Sequence, residues 1–144
     1  MIGFFEHQYL AYKKNHIKNL LALAKADGHL HEEETKLLFK IGERYGLKER
    51  QVQSLIDSKK KFEINIPDNH GDKMNLLYDL ILMVYADGKV DDNEIEFCED
   101  VVDRFGMKKQ MVKWLLKEFD RGTPPPPDEW QEMVSEAKDK FMKK

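Results

Sequence analysis

One stretch of this chain occurs twice. Ala26-Asp27-Gly28-His29-Leu30-His31-Glu32-Glu33-Glu34 recurs as Ala86-Asp87-Gly88-Lys89-Val90-Asp91-Asp92-Asn93-Glu94, at a constant offset of 60 residues. The offset persists without a gap. Arg44-Tyr45-Gly46-Leu47-Lys48 falls on Arg104-Phe105-Gly106-Met107-Lys108, Val52 and Leu55 on Val112 and Leu115, and Leu20 and Leu21 on Leu80 and Ile81. A duplication of this length requires one local architecture to suit two sequences, and duplicated units commonly stack to bury a shared core.

Both copies carry helical periodicity. Ile17, Leu20, Leu21 and Ala24 share one helical face. That helix either starts at Asn15 as a cap or continues unbroken from an opening segment containing Phe4, Phe5, Tyr9, Leu10 and Tyr12. The opening segment reads as a docking helix or an exposed aromatic arm. Gly28 is placed to end the helix at C′, where a left-handed residue needs no Cβ. Leu37, Leu38, Ile41 and Tyr45 predict a second helix stopped by Gly46, and Val52, Leu55 and Ile56 a short third. In the second copy, Leu76, Leu77, Leu80, Ile81 and Val84 predict the most buried helix, capped by Asp68 or Asp72. Ile95, Cys98, Val101, Val102 and Phe105 follow, stopped by Gly106, and then Val112, Leu115, Leu116 and Phe119.

Between the copies, Ser58–Pro67 breaks the helical period. Phe62, Ile64 and Ile66 alternate, but a lone strand has no partner, so an extended linker with a solvated Lys59–Lys61 run is expected. Beyond Gly122-Thr123, Pro124–Pro127 favours polyproline II. Asp128 is then the expected N-cap of a last helix, with Gln131 completing a capping box. Trp130, Val134, Ala137 and Phe141 make that helix amphipathic, and it is expected to dock on the body. The expected fold is all-α: a compact multi-helix domain over 1–122, with two pseudo-equivalent repeats (about 15–56 and 75–116) and a 57–72 linker, followed by a 123–144 Pro-rich linker and C-terminal helix.

Much of the repeated motif is explained by helix capping. Leu30 and Val90 sit at N′, where they can staple onto the next helix. Asp91 is an N-cap with Glu94 three residues on, and His31 and Glu34 hold the same places in the first copy. Glu32, Glu33 and Asp92 suit the positive end of the helix dipole. Asp27 and Asp87 do not fit this account, because each falls in the last turn of a helix, where an anion is disfavoured by about 0.3–1 kcal/mol. Either each folds back onto backbone N–H groups, or a positive charge sits beside it. A divalent cation held by Asp and Glu oxygens would supply that charge. The Asp87…Asp91…Glu94 spacing is too short for an EF-hand and lacks its sixth-position glycine.

The paired A-D-G-x-[LV]-x-x-x-E, each copy between an apolar helix and one ended by R-[YF]-G-[LM], resembles the TerB-like family, the tellurite-resistance protein B type. The likeness runs from about Asn15 to Phe119. It implies a compact all-helical fold with pseudo-twofold repeats and a divalent-metal-binding acidic cluster carried by Asp27, Glu34, Asp87 and Glu94. Asp91 and His31 are further candidate ligands by their own chemistry and place in the motif. It also implies a bacterial stress-response role and relatives among membrane-associated DnaJ-type co-chaperones. The first copy carries His29 and His31 where the second has Lys89 and Asp91, so the two acid counts differ.

Other classes fit less well. A net charge of −3 over 144 residues argues against nucleic acid as the main partner. The single cysteine, Cys98, allows no internal disulfide, has no zinc-ligand spacing and falls in a core stripe. No signal peptide and no apolar run of about 18 residues is recognisable, so direct membrane insertion is not expected and a cytoplasmic location is. His7, His16 and His70 share no spacing and are expected at the surface. No nucleophile–base order or phosphate loop is present, so no enzymatic activity is expected. The competing function class is a metal-free adaptor that binds another protein through the Phe4-Phe5-Tyr9 opening, the proline stretch as a polyproline ligand, or the Trp130 helix.

Overall fold

The helical stripes become seven α-helices among the described residues: α1 (Phe4–Ala24), α2 (Glu32–Arg44), α3 (Glu49–Asp57), α4 (His70–Tyr85), α5 (Asp92–Arg104), α6 (Gln110–Phe119) and α7 (Pro127–Phe141). The structure, a computed structural model, describes residues 4–26, 30–86, 88, 90–119 and 124–143, with side chains from residue 10 onward. Among these residues the only β pairing is an isolated antiparallel bridge between Met107 and Met142. The chain is all-α. No described helix is long and apolar enough to cross a membrane.

The chain forms two compact units, Met1–Asn65 and Ile66–Lys144. In the first, α1, α2 and α3 pack pairwise. Ile17, Leu20, Leu21, Leu23, Leu38 and Val52 are buried there. Each such aliphatic side chain contributes roughly 1.5–3 kcal/mol through removal from water. Helix α1 runs unbroken from Phe4, because no glycine or proline interrupts it. Asn15 is therefore an interior residue, not a cap.

In the second unit α4 packs on α5, α6 and α7. Met74, Leu76, Leu77, Leu80 and Ile81 on α4 are fully buried. The cap of α4 is neither Asp68 nor Asp72 but Asn69, between them. Its Oδ1 accepts from the Asp72 backbone N–H (2.8 Å) and its Nδ2 donates to the Asp72 carboxylate (2.8 Å). Asn69 lies three residues before Asp72, the N-cap-to-N3 spacing, so one pair fills both roles.

Helix α7 also starts earlier than the sequence suggests. Pro126 is its N-cap and Pro127 its first residue, because proline at N1 has its φ preset and lacks an N–H that would go unpaired there. Asp128 therefore lies within the first turn. Pro125 is buried, and its carbonyl accepts from the Tyr78 hydroxyl (3.1 Å), so the proline stretch is not a free polyproline ligand. Trp130, Met133 and Ala137 are buried. Trp130 meets Tyr78 and Phe119 edge-on, with centroids 4.8 and 6.3 Å away. At the far end, Lys108 N–H donates to Phe141 O (2.7 Å), Lys143 N–H donates to Gly106 O (3.0 Å), and the Lys143 ammonium pairs with Asp103. The last helix thus docks on its unit, as its amphipathic pattern requires.

Positions 60 residues apart behave alike. Leu38 and Cys98, Ile41 and Val101, Leu47 and Met107, and Val52 and Val112 are all buried. Gly46 (φ 80°) and Gly106 (φ 82°) end α2 and α5 in the left-handed region, where a Cβ would be strained. The next N–H returns to Gly42 O in one unit (2.8 Å) and to Val102 O in the other (3.1 Å).

Two histidines depart from expectation. His16 is buried and its ring packs at a tilt against Tyr45, centroids 4.5 Å apart. It lies four residues before Leu20, on the inward arc of α1. His70 is half-buried, with Nε2 2.9 Å from Val134 O. The side chain of His7 lies outside the described residues.

Candidate functional site

The repeated motif lies between α1 and α2 in one unit and between α4 and α5 in the other. Asp27, Gly28 and His29 of the first copy, and Asp87 and Lys89 of the second, lie outside the described residues. The expected C′ role of Gly28 lies outside them too. In the second copy Gly88 (φ 79°) is the left-handed residue. Because the C-cap is Ala86, it falls one position beyond C′, and its N–H donates to Tyr85 O (3.1 Å).

The next helix starts as the capping pattern requires, with the two copies differing in detail. His31 is an exposed N-cap with extended backbone, and its N–H donates to Glu34 Oε1 at 3.1 Å. Asp91 is a half-buried N-cap whose Oδ1 accepts from Asn93 N–H at 2.7 Å. That contact is one residue short of the N3 position expected for a capping box. Leu30 is half-buried, but Val90 is 43% exposed, so the second copy lacks a tight hydrophobic staple.

Burial, more than capping, sets Glu34 and Glu94 apart. They are only 2% and 6% exposed, while Glu32, Glu33 and Asp92 face water. Glutamate is rarely buried to this extent. One turn along α5, Cys98 is fully buried. Burial pushes its thiol far above the usual range, and the charges of Glu94 and Glu99 push it further.

The resemblance implies a cation on Asp27, Glu34, Asp87 and Glu94. The structure brings His31 and Glu34 to one helix start and Asp91 and Glu94 to the other. Among the described residues, no group of three or more His, Cys, Asp or Glu is gathered as a cation site. Carboxylate oxygens are the right donors for a hard cation. Each motif supplies one inward carboxylate, and the rest of the implied set depends on Asp27 and Asp87.

Besides His16, two buried polar residues were not singled out from the sequence: Asn19 and Asp79. Asn19 and Asp79 occupy equivalent positions inside the apolar arcs of α1 and α4, and a polar side chain in such an arc needs a partner. That placement is the available signal. Asn19 finds its partner in the backbone of Asn65.

No family model matches the chain, and no curated protein or solved structure matches it either.

Proposed function

We propose that the chain is a non-enzymatic module whose two copies of the motif each hold a divalent cation, with Asp27 and Glu34 as ligands in the first unit and Asp87 and Glu94 as ligands in the second. The observation that carries this reading is the burial of Glu34 and Glu94 at the same register of the two units. A glutamate that only caps a helix start can remain in water. One drawn inward carries its charge out of water, where a cation would compensate it. Helices α1 and α4 end at Ala24 and Tyr85, so Asp27 and Asp87 follow the helices and do not fall in their last turns as the sequence suggests. A cation between the end of one helix and the start of the next would still offset an anion close to the negative end of the helix dipole. The stress-response role implied by the TerB-like resemblance is compatible with such a module.

Thermal melts of metal-stripped protein with and without Ca²⁺, Mg²⁺, Mn²⁺ or Zn²⁺ test it. A cation at about 100 times its Kd should stabilise the fold by about 2.7 kcal/mol, and Asp87→Asn should reduce that gain. An unchanged midpoint with all four ions counts against the reading.

A second reading is a metal-free adaptor for other proteins, including membrane-associated stress-response components. It is favoured by the hydrogen bonds His31 N–H to Glu34 and Asn93 N–H to Asp91, which commit motif oxygens to caps. In the same melts it predicts no response to any ion.

A further inference from the structure

Three side chains on one side of α4 hold the last segment of the chain by hydrogen bonds. The Tyr78 hydroxyl donates to Pro125 O (3.1 Å), Asn75 Oδ1 accepts from the Trp130 indole N–H (3.3 Å), and His70 Nε2 lies 2.9 Å from Val134 O. Only the third depends on a ring that titrates near neutral pH. A carbonyl oxygen can only accept, so Nε2 of His70 carries the hydrogen and Nδ1 of the neutral ring carries none. That Nδ1 is buried and, among the described residues, has no hydrogen-bond partner. A bare ring nitrogen is tolerated in such a place. An N–H is not, because a buried donor without an acceptor forfeits its bond to water.

The surroundings offer little to a second ring hydrogen. His70 is the first residue of α4, where the helix dipole disfavours a cation. Beside it in the chain stand Asp68, Asp72 and Lys73. The Asp72 carboxylate is already engaged by Asn69 Nδ2 (2.8 Å), and Asp68 is exposed. On α7 the charged residue one turn beyond Val134 is Lys138, another cation. Helices α5 and α6 also pack on α4, and among the described residues no charged group of either pairs with the ring. We propose that the docking of α7 on α4 is gated by pH, through proton uptake at His70. The contribution of His70 to docking is present while the ring is neutral and is lost as pH falls and the ring takes up its second hydrogen. Loosening α7 uncovers Trp130, Met133 and Ala137, which are buried when it is docked. The position equivalent to His70 in the first unit is Leu10, so the gate belongs to the second unit. None of these residues lies in the repeated motif, and the gate is independent of any cation.

Trp114→Phe leaves Trp130 as the one tryptophan, and its emission reports whether α7 is docked. Urea titrations of that chain at about pH 7.5 and about pH 5.5 are compared with the same chain carrying His70→Gln. Glutamine keeps an N–H donor for Val134 O and takes up no proton. The other titrating groups are common to both chains, so their effects cancel. Between the two pH values the equilibrium constant read at Trp130 is expected to fall at least about tenfold more with histidine than with glutamine. An equal fall in the two chains overturns the proposal. If His70→Gln does not fold, the His70 ring and the Trp130 indole N–H are followed by NMR in wild type over the same range. The indole resonance is expected to move towards its unfolded position with the midpoint of the His70 ring. An indole resonance that stays in place while the ring titrates, or a ring that stays neutral throughout, overturns the proposal.

Discussion

The backbone N–H of His31 donates to the carboxylate of Glu34 at 3.1 Å, and that carboxylate is almost fully buried. Two substitutions separate its capping role from its charge. Glu34→Gln keeps an acceptor for the His31 N–H and removes the charge. Glu34→Ala removes both and leaves a cavity. Urea unfolding without added metal should show Glu34→Ala losing about 1–3 kcal/mol and Glu34→Gln less. Equal losses would mean that the hydrogen bond does not stabilise the start of α2.

Gly42 lets α2 approach α3. A Cβ added there would lie 2.5 Å from Val52 Cγ2, and Val52 is buried with a stiff, β-branched side chain. Alanine favours a helix by up to about 1 kcal/mol over glycine, but overpacking typically costs about 1–3 kcal/mol. Gly42→Ala should therefore be destabilising by about 1–2 kcal/mol, and Gly42→Ala with Val52→Ala should recover part of the clash. A stabilised single variant in chemical denaturation would show that the α2–α3 spacing is not set by this contact.

The raised thiol pKa of Cys98 makes stability depend on alkaline pH. Its folded value lies above the unfolded value of about 8.5. The stabilisation is therefore complete below that pH and is lost as pH rises above it. Between pH 8 and 10 wild type should lose stability more steeply than Cys98→Val, by at most about 1.4 kcal/mol per pH unit. Native protein should also react with a thiol reagent only at the rate at which α5 opens. Rapid labelling of native protein would contradict the buried placement.

Helix interiors were legible because a 3.6-residue period survives even in short stretches, and the stops at Gly46 and Gly106 were legible because few residues tolerate positive φ. Helix starts were harder to locate. Asp68, Asn69 and Asp72 can all cap, and the choice fell to the pair with the right mutual spacing. At α7 a proline competed with Asp128 and prevailed at N1. The site was legible as a pattern of acids, whereas the burial of Glu34 and Glu94 depends on packing that no local rule specifies. Asn19 lay further out of reach, since its partner is 46 residues away in a segment whose alternation had no visible cause in the sequence.

Asp103 anchors the end of α7 through Lys143. The hydrogen bond and charge of Lys143 hold its carboxyl below the usual range, against a small opposing effect of burial. Because the folded value is depressed, the stabilisation is present above the ordinary aspartate value of about 3.9 and is lost as pH falls through the folded value. A carboxyl-carbon NMR titration should place Asp103 below its exposed neighbours, return it to the ordinary range in Lys143→Ala, and show a smaller shift in high salt. An unchanged midpoint in Lys143→Ala would remove the pair as the cause.

The central claim is that the repeated motif holds a cation through an inward glutamate and the aspartate before it. Calorimetric titration of metal-stripped protein with Ca²⁺, Mg²⁺, Mn²⁺ and Zn²⁺, in wild type, Glu34→Gln and Asp87→Asn, tests it most directly. The account predicts saturable binding of at least one ion to wild type, with binding at the altered motif weakened by about tenfold or more in each variant, equivalent to at least about 1.4 kcal/mol at that site. No heat from any ion, or binding undiminished in both folded variants, would contradict it and leave the motif as a pair of helix caps.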